Sequence, residues 1–280
     1  MKVLAAVDNT PESQTALAYV CHLLEHFDAE VHALYVRPDE PKIAADSFYA
    51  PFFSKDGLKN WINGETLEVE RKVDESCEYC LAGKVPCEPV TVAGDPSEAI
   101  LDTASDGSYD LIVLGSHGYS ALRGFLLGTV HAKVLHHSRI PVLIVRDFKE
   151  IRRVLVAYRG SRCDQEALEF LGPLLSRKKP KIVILHVQDK EGSSETGEVC
   201  LSQGRASLGR LGHEPEVLTK EGDFVDEVLK ESRSARYDLV VLGAYGNDKP
   251  RLLRMLSDHA LNLVRSTTLP VLVFRKKSNS

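Results

Sequence analysis

The sequence predicts an α/β protein made of two copies of one domain, each a five-stranded, mostly parallel open sheet with helices on both faces. Two observations carry this. Ten short apolar runs alternate with longer amphipathic segments, and the second half of the chain repeats landmarks of the first. Tyr109-Asp-Leu-Ile-Val-Leu-Gly115 returns as Tyr237-Asp-Leu-Val-Val-Leu-Gly243, and Ile140-Pro-Val-Leu-Ile-Val-Arg146 returns as Leu269-Pro-Val-Leu-Val-Phe-Arg275. A third feature, two glycines closing one apolar run and a third opening the next helix, marks where a ligand would sit.

The first copy opens on Val3–Val7, an unbroken apolar run of the kind found in strands covered on both faces. Asp8, Thr10 and Pro11 follow, and they suit a helix start because Asp and Thr are good caps and Pro fits the first turn. Val31–Val36 is the second strand. The stretch from Arg37 to Asp56 is too long for a routine βα loop. It carries Pro38, Pro41 and Pro51 with Phe48, Tyr49, Phe52 and Phe53, which suits either a lid or a surface loop anchored by its aromatics. A helical pattern then runs from Leu58 to about Ala82. Pro89–Val92, Leu111–Leu114 and Pro141–Val145 are the remaining strands, and Gly94-Asp95 precedes a helix between the first two.

The second copy runs Val154–Ala157, Ile182–Val187, Glu216–Thr219, Leu239–Leu242 and Pro270–Phe274, with Gly222-Asp223 in the place of Gly94-Asp95. The copies meet near Phe148-Lys-Glu150, giving domains 1–147 and 151–280. Strand–helix alternation implies right-handed βαβ units and a parallel sheet. Ligands of such open sheets bind beyond the carboxyl ends of the strands.

Composition narrows the function classes. A net charge of -5 argues against a broad nucleic-acid surface, and Arg177-Lys-Lys-Pro-Lys181 suits a solvated turn. No apolar run approaches the roughly 20 residues that span a bilayer. The chain enters its first strand without a charged-then-apolar leader, so the expectation is a cytoplasmic protein with no membrane partner. Six cysteines in that setting read as reduced thiols rather than a disulfide framework. Cys77, Cys80 and Cys87 form a cluster. Cys77 and Cys80 share a helix face, which suits helix packing, while zinc would require a fourth ligand.

The glycine pattern is Gly115-x2-Gly118-x9-Gly128-Thr129. Glycines at a strand end let backbone approach a ligand closely, because no Cβ intervenes. Gly128 and Thr129 then open a helix whose first N–H groups lack intrahelical partners and can bind an anion. The second copy keeps Gly243 and Gly246 but has Leu256-Ser257 for Gly128-Thr129, Pro250 in the intervening loop and Tyr158 for Asp8. These changes predict that it does not bind the same ligand. Gly115-Ser-His-Gly118 lacks the Gly-x-Ser-x-Gly spacing of a nucleophile elbow, and the chain has no Gly-x4-Gly-Lys-Ser/Thr motif.

The Asp after the first strand, the glycine segment and the closing Pro-Val-Leu-Ile-Val strand resemble the universal stress protein family, in its tandem form with two family domains in one chain. The resemblance implies an adenine-nucleotide alpha-hydrolase-like fold and, for the first domain, bound ATP with or without magnesium. It places Asp8 by the ribose or adenine with Ala6 nearby, and Val36 in the adenine pocket. It puts Leu114, Gly115, His117 and Gly118 in the nucleotide-facing loop, and Gly128, Thr129 and Val130 against the phosphates. His131 stands where the family commonly has a second Ser or Thr, so its contact with phosphate is open; Arg123 is a further candidate for the terminal phosphates. Family domains commonly pair through their last strands, which here implies an intramolecular pseudo-dimer and allows a homodimer of chains.

The leading function is therefore a stress-response adenine-nucleotide binding protein that signals to an unidentified protein partner, with the second domain a packing or regulatory partner. A slow magnesium-dependent ATP hydrolase is the first alternative, at most a weak ATPase. The second is a nucleotide-free partner-binding module, with zinc on the cysteine cluster.

Overall fold

The structure, a computed structural model, describes residues 1–8, 10–25, 27–37, 55–82, 85–116, 128–188, 194–244 and 259–275. The first copy contains β1 (Lys2–Val7), α1 (Pro11–Leu24), β2 (Glu30–Arg37), α2 (Lys55–Ala82), β3 (Cys87–Ala93), α3 (Pro96–Asp106), β4 (Leu111–Gly115), α4 (Thr129–His137) and β5 (Val142–Val145). The second contains β6 (Arg153–Ala157), α5 (Arg162–Leu175), β7 (Lys181–Gln188), α6 (Ser194–Arg210), β8 (Glu216–Glu221), α7 (Phe224–Ser234), β9 (Leu239–Gly243), α8 (His259–Ser266) and β10 (Val271–Phe274). All ten expected strands form, in the expected α/β alternation.

By spatial contact the chain divides into two units. The first holds Met1–Ser116 and Gly128–His137, whereas β5 belongs to the second. In the first unit the strand order is β3-β2-β1-β4, all parallel. Helix α1 packs with α2, and α3 with α4. In the second unit the order is β5-β10-β9-β6-β7-β8. Its strands are parallel except that β5 runs antiparallel to β10, with Ile144 opposite Val271 and Val142 opposite Val273. The two copies' closing strands thus pair with each other.

Burial explains the sequence pattern. The side chains of Val3, Leu4, Ile112, Val113, Val154, Leu155, Val240 and Val241 are fully enclosed, as continuous apolar runs require when both sheet faces are covered. Strands β3 and β8 carry alternating exposed residues, and β3 carries Pro89, which the ladder tolerates at an edge.

The repeated Tyr-Asp pair has a structural reason. The Asp110 carboxylate accepts the Lys2 backbone N–H at 2.8 Å, and Asp238 accepts those of Arg152 at 3.0 Å and Arg153 at 2.8 Å. Each Tyr ring lies beneath the cation that opens the neighbouring strand, Lys2 over Tyr109 and Arg153 over Tyr237, both at 4.7 Å. The pair therefore locks the start of the first strand of each copy to the strand beside it.

The Gly-Asp pairs are helix starts. Gly94 and Gly222 adopt φ of 150° and 139°, values a side chain disfavours. Asp95 then accepts the backbone N–H groups of Ser97 at 3.0 Å and Glu98 at 3.1 Å, and Asp223 accepts that of Asp226 at 3.0 Å. The Ser97 hydroxyl, then the Glu98 N–H, holds the Asp95 carboxyl below the usual carboxylate range. Asp95→Ala is expected to cost about 1 kcal/mol of stability in urea denaturation at neutral pH. Because the folded pKa is depressed, the ionised cap contributes above the ordinary Asp value, and the contribution is lost as pH falls through the lowered one. The wild-type–mutant difference should therefore shrink in strong acid.

The expectation of reduced thiols is corrected. Helix α2 does place Cys77 and Cys80 on one buried face, but both are disulfide-bonded, Cys80 to Cys21 of α1 and Cys77 to Cys87 of β3. Their partners come from other elements, which spacing within a helix does not reveal. With their sulfurs so bonded, Cys77, Cys80 and Cys87 are not a zinc site, and among the described residues no group of three or more His, Cys, Asp or Glu is placed to hold a metal. No helix among the described residues is long and apolar enough to cross a membrane.

Candidate functional site

In the first unit the chain builds β1, β2 and β3 outward to one side, then places β4 on the other side of β1. Adjacent parallel strands whose connections leave in opposite directions open a crevice at their carboxyl ends, the usual ligand position in open α/β sheets. Asp8 follows β1 there, and Gly115 ends β4. Ala6 pairs with Leu114 across the two strands and with Leu34 on the other side. Val36 lies near the end of β2, opposite Val92. Leu114 is buried and belongs to the sheet core; Ala6 and Val36 are half-buried.

Asp8 is exposed, and it does not cap α1. Thr10 does, its hydroxyl accepting the Ser13 N–H at 3.3 Å with Pro11 next in the helix. Asp8 instead supports the turn that leads into the cap, its Oδ1 accepting the Thr10 N–H at 2.9 Å. The buried Ser13 hydroxyl donates to the carbonyls of Asp8 and Thr10, both at 3.0 Å, and lies 3.0 Å from the Asp8 N–H. Gln14 also reaches the Asp8 carbonyl, at 3.4 Å. Ser13 and Gln14 were not legible as site residues. The signal was a Ser at the third helical position after an Asp-x-Thr-Pro start, a pattern that ordinary capping also produces.

The motif glycines serve different purposes. A Cβ on Gly115 would stand 2.4 Å from the Glu12 carbonyl oxygen and 2.6 Å from Ser13 Cα. This glycine admits the first turn of α1 against the end of β4, and the approach it permits is helix to strand. Gly128 is exposed. Among the described residues a Cβ there would meet only the His131 ring, with Nδ1 at 3.2 Å, so none of their backbone demands a glycine. Gly128 stands at the start of α4, its carbonyl accepting the Ala132 N–H at 3.1 Å. Thr129 is exposed and Val130 and His131 are half-buried in the first turn.

His131 is held by a backbone carbonyl. Its Nε2 lies 2.6 Å from the Gly115 carbonyl oxygen. A carbonyl only accepts, so Nε2 is the donor. The imidazole thus ties the start of α4 to the end of β4 and brings Gly128 and Thr129 beside the crevice. His117, Gly118 and Arg123 lie outside the described residues.

The second unit has the same crevice between β6 and β9, and there its own side chains are drawn in. Tyr158, in the place of Asp8, is buried and donates its hydroxyl to Gln165 Oε1 at 2.6 Å. Burial first, then Asp164, pushes its phenol up to about 12, so it stays neutral. Arg159 donates to the Gly243 carbonyl and packs over the Phe224 ring at 4.6 Å. The buried Asp164 carboxylate accepts N–H groups from Arg159, Ser161 and Gly243, each at 3.1 Å. Gly243 is required for the same reason as Gly115, since a Cβ would meet the Asp164 nitrogen at 2.7 Å. Gly246, Pro250, Leu256 and Ser257 lie outside the described residues.

Comparison with known proteins agrees with this architecture. A sequence profile of the universal stress protein family matches residues 1–146 and again residues 150–275. Universal stress protein YxiE of Bacillus subtilis (strain 168) is 33% identical over 149 residues, which is 52% of this chain and 98% of that protein. Universal stress protein Rv2005c of Mycobacterium tuberculosis is 40% identical over 150 residues, 51% of this chain and 45% of its own. A crystal structure of a universal stress protein from Archaeoglobus fulgidus DSM 4304 covers 100% of this chain and 97% of that one with a TM-score of 0.76. At 23% identity that likeness concerns the fold. With two profile matches in tandem and the same α/β architecture, the chain belongs to the universal stress protein family.

Proposed function

We propose that the first domain, residues 1–147, binds an adenine nucleotide, ATP, in the crevice between β1 and β4, and that the second, residues 151–280, is its packing or regulatory partner. The observation that carries this reading is the contrast between the two crevices. In the first, an exposed carboxylate, Asp8, and an exposed helix start, Gly128-Thr129, flank the strand ends. In the second, a buried phenol, a guanidinium and a buried carboxylate occupy the corresponding ground.

Each ligand part has a matching group. A carboxylate accepts the hydroxyls of a ribose. Exposed first-turn N–H groups and the Thr129 hydroxyl suit phosphate oxygens, with the helix dipole favouring their charge. Ala6 and Val36 offer apolar contact to a base. Magnesium would arrive on the phosphates, with Asp8 an exposed carboxylate at the same strand ends.

Binding without efficient turnover is the favoured chemistry. Hydrolysis calls for a positioned water and a group that stabilises the charge developing on the phosphoryl oxygens. His131 is engaged in holding Gly115 through Nε2. The pairing of β5 with β10 supports an intramolecular pseudo-dimer. Transmission of the nucleotide state to a protein partner, in the cytoplasm, completes the reading.

The test is to heat-denature freshly purified protein and identify released small molecules by liquid chromatography and mass spectrometry. About one adenine nucleotide per chain is expected, as a single working crevice requires. An ADP-rich release would favour the slow hydrolase. No nucleotide, with no uptake of added ATP, would sink the proposal.

A further inference from the structure

Helix α2 is twice the length of α1, 28 residues against 14, and it is held near one end. Its buried side chains Val69, Val73, Cys77 and Cys80 form one stripe. Ser76 donates to Gln14 Oε1 at 2.6 Å, and Glu70 lies level with Thr91, close to the end of β3, at 3.5 Å. Residues 55–68 therefore form a run of about 21 Å at the helical rise on the side of the strands' carboxyl ends. Leu67 on that run is 68% exposed. Both disulfides lie on the anchored end, with Cα–Cα distances of 5.4 Å for Cys21–Cys80 and 5.0 Å for Cys77–Cys87.

The four cysteines are not equally exposed. Cys21, Cys77 and Cys80 are buried, at 4%, 4% and 1% exposure, whereas Cys87 on the edge strand is half-buried. Thiol–disulfide exchange requires access to the sulfur attacked. We propose that the four cysteines form a two-stage redox clamp on α2, with Cys77–Cys87 the reversible stage and Cys21–Cys80 the permanent one.

Opening begins when an external thiolate attacks the Cys87 sulfur. The Cys77–Cys87 bond breaks, and Cys77 leaves as a thiolate that takes up a proton. A second external thiol resolves the mixed disulfide, releasing the Cys87 thiol and an external disulfide, so two electrons enter the protein. Closing uses a peroxide as oxidant. The Cys87 thiolate takes one peroxide oxygen to become a sulfenic acid, the hydroxide released takes up a proton to give water, and the Cys77 thiol then displaces a second water as the disulfide forms. Cys163 stays outside this cycle because burial, then Asp164, pushes its thiol up to about 11.

The consequence is mechanical. With Cys77 and Cys87 reduced, the end of α2 loses its covalent link to β3, so local opening becomes easier. The same helix touches Gln14, which contacts the Asp8 carbonyl, so the clamp borders the crevice. The clamp is independent of whether a nucleotide binds there.

The test uses the full chain, oxidised with hydrogen peroxide and then titrated with dithiothreitol under native conditions. Alkylation and peptide mapping give the pairing, and hydrogen exchange follows residues 69–82. The oxidised protein should show two free thiols, Cys163 and Cys200. Mild reduction should expose Cys77 and Cys87 while Cys21 and Cys80 stay linked, and exchange in α2 should rise about tenfold, reversibly with peroxide. Cys87→Ser should show the faster exchange without reductant and keep Cys21–Cys80. Loss of Cys21–Cys80 first, six thiols persisting in peroxide, or unchanged α2 exchange in the reduced protein or in Cys87→Ser would each overturn the proposal.

Discussion

Replacing Gly128 with leucine is expected to remove nucleotide retention while leaving the fold nearly intact. Among the described residues, the atoms near a Cβ at this position belong to the His131 ring, 3.2 Å away at Nδ1. Loss of stability should stay near 1 kcal/mol, as for a poor residue at a helix start. A bulky side chain there would stand between the first-turn N–H groups and any phosphate. Weakening of ATP binding by about 100-fold corresponds to roughly 2.7 kcal/mol, about the worth of one or two charge-assisted hydrogen bonds. Isothermal titration of the purified variant measures it. Wild-type affinity in Gly128→Leu would show that α4 does not receive the phosphates.

Gly115→Ala should do the reverse, destabilising the protein first and binding second. The added carbon would meet backbone atoms of α1, the Glu12 oxygen at 2.4 Å and the Ser13 Cα at 2.6 Å. Backbone in a packed helix cannot rotate away, so helix and strand must separate. Overpacking of this kind costs about 3 kcal/mol. The separation would also disturb the turn in which Ser13 and Thr10 hold Asp8, so binding should weaken along with stability. Gly243→Ala provides the control. Its clash with Asp164 is of the same kind, so the stability loss should be similar with nucleotide binding little changed. Urea denaturation followed by circular dichroism, with hydrogen exchange to assign each transition to its unit, separates the three variants. Equal loss of ATP binding in Gly115→Ala and Gly243→Ala would contradict the assignment of the site to the first domain.

These two glycines show how far sequence reasoning reached. Both belong to one motif, and a motif records that glycine is wanted without saying which neighbour excludes the Cβ. For Gly115 the neighbour is α1, and for Gly128 no backbone among the described residues requires it. The same holds for His131. Its position suggested a contact with phosphate or none, and its bond to the Gly115 carbonyl depends on the distance between two elements, which spacing along the chain does not carry. Asp8 was open between cap and ligand group; the structure gives the cap to Thr10 and leaves the carboxylate exposed.

What the sequence determined by itself is the secondary structure, the duplication and the family. Each of these is written locally: unbroken apolar runs mark strands covered on both faces, amphipathic periods mark helices, and repeated landmarks such as Tyr109-Asp and Tyr237-Asp mark equivalent joints. Only the tertiary structure decided the Cys21–Cys80 and Cys77–Cys87 links and the contacts that Tyr158, Arg159 and Asp164 make within the second unit. These depend on which distant segments become neighbours. Local propensity and spacing describe the faces a segment can offer, but the packed fold chooses the face that meets them.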